Sequence, residues 1–468
     1  MNTFIITVTK YLFIILMGFY TWECFSALRC KNPIKLSGIF QRQNGTIFLT
    51  YLLGITTIFL NQKEVEPIYV IILGGAQLCY LIVVLGVFPI IYPNINKAIL
   101  SNMCMLLSIG FIILIRLDFE GSIKQFVIVA VVTLLSLAVP FMMSRGEFWE
   151  RLTWFYLVFG MGLLGFVLVM GITSGGARLS MEIAGFTFQP SEFVKIIFVF
   201  FVAAMLAKSI EFWNILLSAI FAGIFVIVLV LSTDLGSALI FFMIYLFMVY
   251  IGTHKARYLA IGFSGMAVAS VIAYNLFGHV QSRVAAWLDP WSIIDGKGYQ
   301  VTQSLFALSG GGFVGSGLYQ GRPTDIPVVK KDFVFSAIGE EFGGIFAILL
   351  ILVCLSCFIT FLKIAMVQKT TFNKLICAGL GVQYAVQVIL TIGGAIKMIP
   401  STGVTLPLIS YGGSSILSTL IVFAIIQGLA IVGIDDKKEL EYLIKQEQSN
   451  GKKKKSKKIE DTQEIPRV

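Results

Sequence analysis

The sequence predicts an all-α polytopic membrane protein, and three observations carry that class. Of its 468 residues 57% are hydrophobic and only 13% charged, where a soluble chain would carry roughly a quarter charged. Mean hydropathy is +0.90, and apolar runs close to the ~20 residues that cross a bilayer recur along the chain. The basic residues between those runs alternate so as to separate two faces.

By run length, thirteen spans are expected, at 4–27, 46–61, 67–92, 99–116, 124–143, 149–172, 191–207, 211–231, 233–252, 257–279, 336–362, 371–399 and 404–433. The first run has no convincing cleavage site and is followed by more spans, so it reads as a retained helix. Arg29, Lys31, Lys35 and Arg42 fill the first connection. Lys97, Arg145, Arg151, Lys208, Lys255, Arg257, Lys363, Lys369 and Lys374 then fall on the same side, as does the lysine-rich tail. The positive-inside rule makes that side cytosolic, with the N-terminus outside and the C-terminus cytosolic. Much of the net charge of +10 sits in Lys452–Lys455, Lys457 and Lys458. A basic tail beside a last span suits the membrane surface and gives no nucleic-acid signal. Cys354 and Cys357 form a CxxC inside an apolar run with no second pair or nearby His, which reads as packing. No metal centre is visible.

The longest polar break runs from about Gln281 to Gly343, on the outward side by the charge rule. Two further segments on that side, 173–190 and 399–415, carry Gly and Pro breakers. Irregular backbone at membrane depth survives where protein or water shields it, so the three segments outline an outward cavity. Ionisable residues near span ends default to functional candidates. Glu192 and Lys195 are three apart on one helix face, and a local ion pair is the plain alternative. Asp234 follows a break and could simply cap its helix. Glu340 and Glu341 open a span, and adjacent positions let at most one aim into the cavity. Lys397 lies near a span end, where snorkelling is the plain account. With Arg178, Arg283, Lys330 and Lys331 it gives an outer cation set, which suits a phosphate-bearing ligand. The glycines at 310–317 lack a GK[ST] ending, so ATP is not implied.

Four motifs in this order resemble the SEDS family, the RodA/FtsW/SpoVE proteins of bacterial shape, division and sporulation. They are GFTFQPSEFVK (Gly185–Lys195), STDLGSAL (Ser232–Leu239), DFVFSAIGEEFG (Asp332–Gly343) and STGVTLPLISYGGSS (Ser401–Ser415). The resemblance implies a ten-span core over 99–433 and says nothing of what lies outside it, which reads as about three extra N-terminal transmembrane helices within 1–98 and a basic, disordered cytosolic tail over 434–468. The charge rule makes the stretch at about 280–335 a large extracellular loop, and the resemblance implies residence in the bacterial cytoplasmic membrane. It also implies an inverting peptidoglycan glycosyltransferase that polymerises lipid II beside a class B penicillin-binding protein. No cofactor is called for, and a divalent cation stays open. A loop aspartate would be the base, in a family pattern N-P-x-x-D-P-x-G-x-G-Y-Q. Here the ungapped position falls on Ile293, Asp295 is two residues on, and Asp289 replaces the usual Asn. Asp295 is the favoured base and Asp289 the second candidate. The substrate contacts implied are Arg178, Glu192, Lys195, Asp234, Arg283, Lys330, Lys331, Glu340, Lys397 and Ser410. Two other readings stay open: a flippase for the lipid-linked precursor, which the many spans and broken segments suit, and an inactive scaffold for a partner synthase, which the changed loop keeps alive.

Overall fold

The computed structural model describes residues 2–144, 147–174, 177–183 and 186–463. Among them twelve helices are long and apolar enough to cross a membrane, and the shorter apolar helix Thr153–Val169 makes the thirteenth expected span. The chain is a multi-pass membrane protein. In order the helices are α1 (Asn2–Arg29), α2 (Pro33–Asn61), α3 (Pro67–Ile91), α4 (Lys97–Leu117), α5 (Phe119–Ser136), α6 (Ala138–Ser144), α7 (Glu147–Arg151) and α8 (Thr153–Met170). A three-stranded antiparallel ribbon follows, β1 (Ile172–Ser174), β2 (Ala177–Ile183) and β3 (Phe186–Phe188). Then come α9 (Pro190–Lys208), α10 (Phe212–Leu231), α11 (Leu235–Thr253), α12 (Arg257–Leu276), α13 (Gly278–Leu288) and α14 (Tyr299–Gly311). The last four are α15 (Val334–Phe342), α16 (Gly344–Val367), α17 (Thr371–Ala395) and α18 (Gly413–Gln463).

Four expected boundaries move, each for a local reason. The second span starts at Pro33, because Asn32 caps Ile34 and Lys35 and proline is tolerated at a first helical position. Arg42 therefore lies inside α2, where it forks onto the buried Glu23 at 2.6 and 3.1 Å. The span expected from 336 starts at Gly344. Gly343 breaks the run with φ +91°, and a Cβ there would lie 2.3 Å from the Gly315 nitrogen. The last span starts at Gly413 instead of 404, and its helical backbone continues through the expected tail to Gln463. The ribbon, finally, pairs residues that read as an irregular polar connection.

Connectivity divides the molecule into two faces. Lys10 near the start of α1 donates to the Gly315 carbonyl (3.3 Å), so α1 begins on the face of the long break, here the loop face. On the opposite face Asn94 donates to Asp435 (2.8 Å) and accepts from Lys438 (3.0 Å). The most enclosed spans are α4, α17, α9 and α18. Asn102 of α4 accepts from Tyr20 of α1 (2.9 Å) and donates to Ser356 of α16 (2.8 Å). This buried polar link ties the first helix to the centre. Cys354 and Cys357 are buried free thiols in α16, consistent with packing.

Candidate functional site

The loop face is built where helices stop early and the connecting backbone folds back into the bundle. The long break is not one open loop: it holds α13, α14, a 3-10 turn at Pro323–Asp325, and α15. Five of the six non-glycine residues with positive φ among those described (Thr233, Tyr319, Val328, Lys397 and Leu408) sit in the breaks of this face. Such conformations cost of order 1–3 kcal/mol each, and they persist where the surroundings over-determine them.

Those surroundings are hydrogen bonds between the motifs. Ser410 Oγ donates to the Lys331 carbonyl (2.6 Å) and accepts from the Leu406 N–H (2.8 Å), while Tyr411 N–H donates to the Lys330 carbonyl (2.7 Å). Gln125 of α5 clamps the same segment, donating to Ser410 O and accepting from Gly412 N–H, both at 2.9 Å. Gln189 N–H donates to Ser414 Oγ at 2.8 Å, joining the FQPSEF motif to ISYGGSS. Asp234 caps α11 through Ser237 N–H (3.0 Å) and accepts from Ser191 Oγ (3.2 Å). Ser410 and Asp234 thus hold the framework.

Glu192 and Lys195 pair with each other at 2.8 Å, with the lysine side chain 0% exposed. Lys195 Nζ also donates to Gln387 Oε1 (3.3 Å), and Ser418 Oγ donates to Glu192 Oε2 (3.1 Å). Gln387 continues to the Thr405 carbonyl (3.1 Å), so the buried pair anchors the broken segment from below. Arg116 near the end of α4 donates to Glu341 Oε1 (2.9 Å) and to the Gly321 carbonyl (3.3 Å). Burial pushes the Glu341 carboxyl up to about 7, with the guanidinium of Arg116 offsetting part of that effect. Glu340 instead accepts the Arg322 N–H at 2.8 Å, so the adjacent carboxylates diverge as helical spacing requires.

The groups left facing outward come from α13, the turn after it, and residues 330–332 and 396–403. Arg283 is exposed and donates to the Ser401 carbonyl (3.1 Å). Lys397 reaches the Leu288 carbonyl (3.4 Å), and Trp287 Nε1 donates back to the Lys397 carbonyl (3.2 Å). Lys297 Nζ bonds Ser282 Oγ (2.6 Å), folding the 289–298 turn onto α13 beside Arg283. Within that turn Asp289 accepts the Trp291 and Ser292 N–H groups (3.2 and 3.4 Å), a turn-forming role. Asp295 is exposed, and no hydrogen bond or ion pair engages it among the described residues. Lys331 is exposed, whereas Lys330 is paired with Asp118 and lies 5.0 Å from the Tyr411 ring centroid. The side chain of Arg178, on β2, lies outside the described residues.

Asp332, Arg116, Asp118 and Gln125 were not among the sequence candidates. Arg116 was detectable as an arginine closing an apolar run, but its partner is 225 positions away. Asp332 is half-buried, and burial raises its carboxyl to about 6, partly offset by Lys331 and Arg283. Its Oδ2 and Arg283 Nη2 converge over Gly403, at 3.6 and 3.8 Å from where a Cβ would stand. Among the described residues the face therefore offers a free carboxylate, a carboxyl titrating near neutrality and four cations that form no ion pair (Arg283, Lys297, Lys331, Lys397). That set can bind a phosphate-bearing substrate and remove a proton.

A sequence family described as cell cycle protein, comprising FtsW, RodA and SpoVE, matches residues 96–432. Peptidoglycan glycosyltransferase RodA of Mycobacterium tuberculosis is 38% identical over 269 residues, which is 54% of this chain and 57% of that protein. The match thus spans little more than half of that relative's length. A probable peptidoglycan glycosyltransferase FtsW of Tolumonas auensis is 33% identical over 294 residues, covering 60% of this chain and 76% of that protein. Among solved structures, one from a study of polymerization and crosslinking by a peptidoglycan synthase complex superposes with TM-score 0.62 at 24% identity, covering 72% of this chain and 97% of that chain. The Thermus thermophilus rod shape determining protein RodA gives TM-score 0.55 at 23% identity, over 72% and 96%. Sharing that fold, and matched to that family across its core spans, the chain belongs to the FtsW/RodA/SpoVE family.

Proposed function

We propose that this protein is a peptidoglycan glycosyltransferase polymerising lipid II at the outer face of a bacterial cytoplasmic membrane, beside a class B penicillin-binding protein. One observation carries the reading: the family's motifs interlock on a single face, and the groups they leave outward include a free carboxylate and four cations without ion-pair partners among the described residues. Loop charges make that face the outer one. Asp295 removes the proton from the 4-hydroxyl of the acceptor sugar, whose oxygen attacks C1 of the donor with inversion. The C1–O bond to phosphate breaks and undecaprenyl diphosphate leaves. Arg283, Lys331 and Lys397 offset the charge gathering on that diphosphate. General base catalysis of this kind contributes about 10²–10⁴-fold. Asp332 is a positioning residue whose charge faces Arg283 across Gly403.

Transport fits less well, because the buried charges at Glu192–Lys195 and Arg116–Glu341 are spent on each other. Purified full-length chain incubated with lipid II, with and without a penicillin-binding partner, tests the proposal. Glycan strands on a gel support it. No polymer under any partner, with the protein still recruiting that partner, leaves the scaffold reading.

A further inference from the structure

On the face opposite the site, the ends of α2, α3 and α4 line an open pocket of about 190 Å³. Its polar wall is one face of α2, where Ser37, Gln41 and Asn44 follow helical spacing. Lys97, in the first turn of α4, supplies the only charge among the lining residues and forms no ion pair among those described. The α3 wall carries Leu85 and Pro89. Pro89 lies inside the helix and has no N–H, so the Leu85 carbonyl is left without its helical donor. Asn44 Oδ1 accepts from Ser101 Oγ (3.2 Å) and keeps a second lone pair. Phe40 and Leu100 make the remaining wall apolar.

We propose that this pocket binds the headgroup of an anionic phospholipid whose phosphodiester carries a hydroxylated alcohol, as in phosphatidylglycerol. One cation matches one phosphodiester charge, so a polyphosphate is not called for. The Leu85 carbonyl lacks its helical donor and Asn44 Oδ1 can accept a second bond, and hydroxyls supply such donors where a choline does not. Three helix ends meet here at the membrane border, beside the basic run Arg29, Lys31 and Lys35. Basic pockets between transmembrane helices are where such headgroups settle. The proposal is independent of the reaction on the loop face.

The test uses purified full-length protein in delipidated detergent, titrated with phosphatidylglycerol, phosphatidylcholine or soluble glycerol 3-phosphate. Native mass spectrometry reads occupancy and thermal unfolding reads stabilisation. Phosphatidylglycerol should bind at least tenfold tighter than phosphatidylcholine. Lys97→Gln should lower its affinity about tenfold, the scale of one lost charge-assisted hydrogen bond, while Lys374→Gln on the same face leaves it unchanged. Pro89→Ala, which restores the N–H to Leu85, should narrow the preference for phosphatidylglycerol over phosphatidylcholine. Equal binding of the two glycerophospholipids, or no effect of Lys97→Gln in folded protein, overturns the proposal. So does saturation by glycerol 3-phosphate at the same concentration, which would place the ligand in water.

Discussion

Replacing Lys195 by Met removes the ammonium from the buried pair under the broken segment while keeping most of the stem. The perturbation can be sized from the geometry. At 2.8 Å and an effective dielectric near 20, the pair attraction is about 6 kcal/mol. Relaxation and desolvation bring the measured cost of breaking such a pair down to about 3–5 kcal/mol. Glu192 would keep only the Ser418 hydroxyl at 3.1 Å, and Gln387 would lose its lysine donor. The double variant Glu192→Gln with Lys195→Met leaves no charge buried and should regain most of the loss, because a neutral replacement of a buried pair is often tolerated. Equilibrium unfolding in mixed micelles reads both. A single variant within about 0.5 kcal/mol of wild type, or a double variant no better than the single, would refute the assignment of Lys195 as an anchor. Loss of polymerisation at unchanged stability would instead make it a substrate contact.

Two further perturbations probe other parts of the face. Polymerisation should rise with pH through a one-proton limb at about 6, because ionised Asp332 is the form that attracts Arg283 across Gly403. Asp332→Asn should flatten that limb and leave residual activity, measured as initial rates from pH 5 to 8; complete loss would make Asp332 the base. Stability runs the opposite way: the folded pKa lies above the unfolded 3.8, so the neutral carboxyl favours folding. That contribution is full below about 3.8 and is lost as pH rises through about 6. Gly343→Ala should destabilise by about 1–3 kcal/mol from backbone strain at φ +91°. The contact with Gly315 adds to that cost, and a thermal unfolding point equal to wild type would contradict it.

Much of the fold was legible because lipid imposes a simple length rule: twelve expected spans return as long apolar helices and the thirteenth as a shorter one. Boundaries failed where apolarity continues past a stop. Phe342 and Ile345 flank the break at Gly343, and no hydropathy window resolves a glycine turned left-handed between two helices. Site residues were legible as charges but not as pairs. Glu192 and Lys195 sit three apart, so their pairing could be weighed from sequence, whereas Arg116 with Glu341 and Lys330 with Asp118 are joined only by the fold. Asp332 escaped because its raised affinity for a proton comes from burial beneath neighbouring segments, which local sequence does not encode.

The central claim is that Asp295, not Asp289, acts on lipid II. Asp289 spends its carboxylate on two backbone N–H groups of its own turn, while Asp295 is unengaged. Lipid II polymerisation by Asp295→Asn and Asp289→Asn, each confirmed folded, decides it. The account predicts a loss of about 10²–10⁴-fold in the first and a much smaller effect in the second. Full activity of Asp295→Asn, with loss confined to Asp289→Asn, would contradict it.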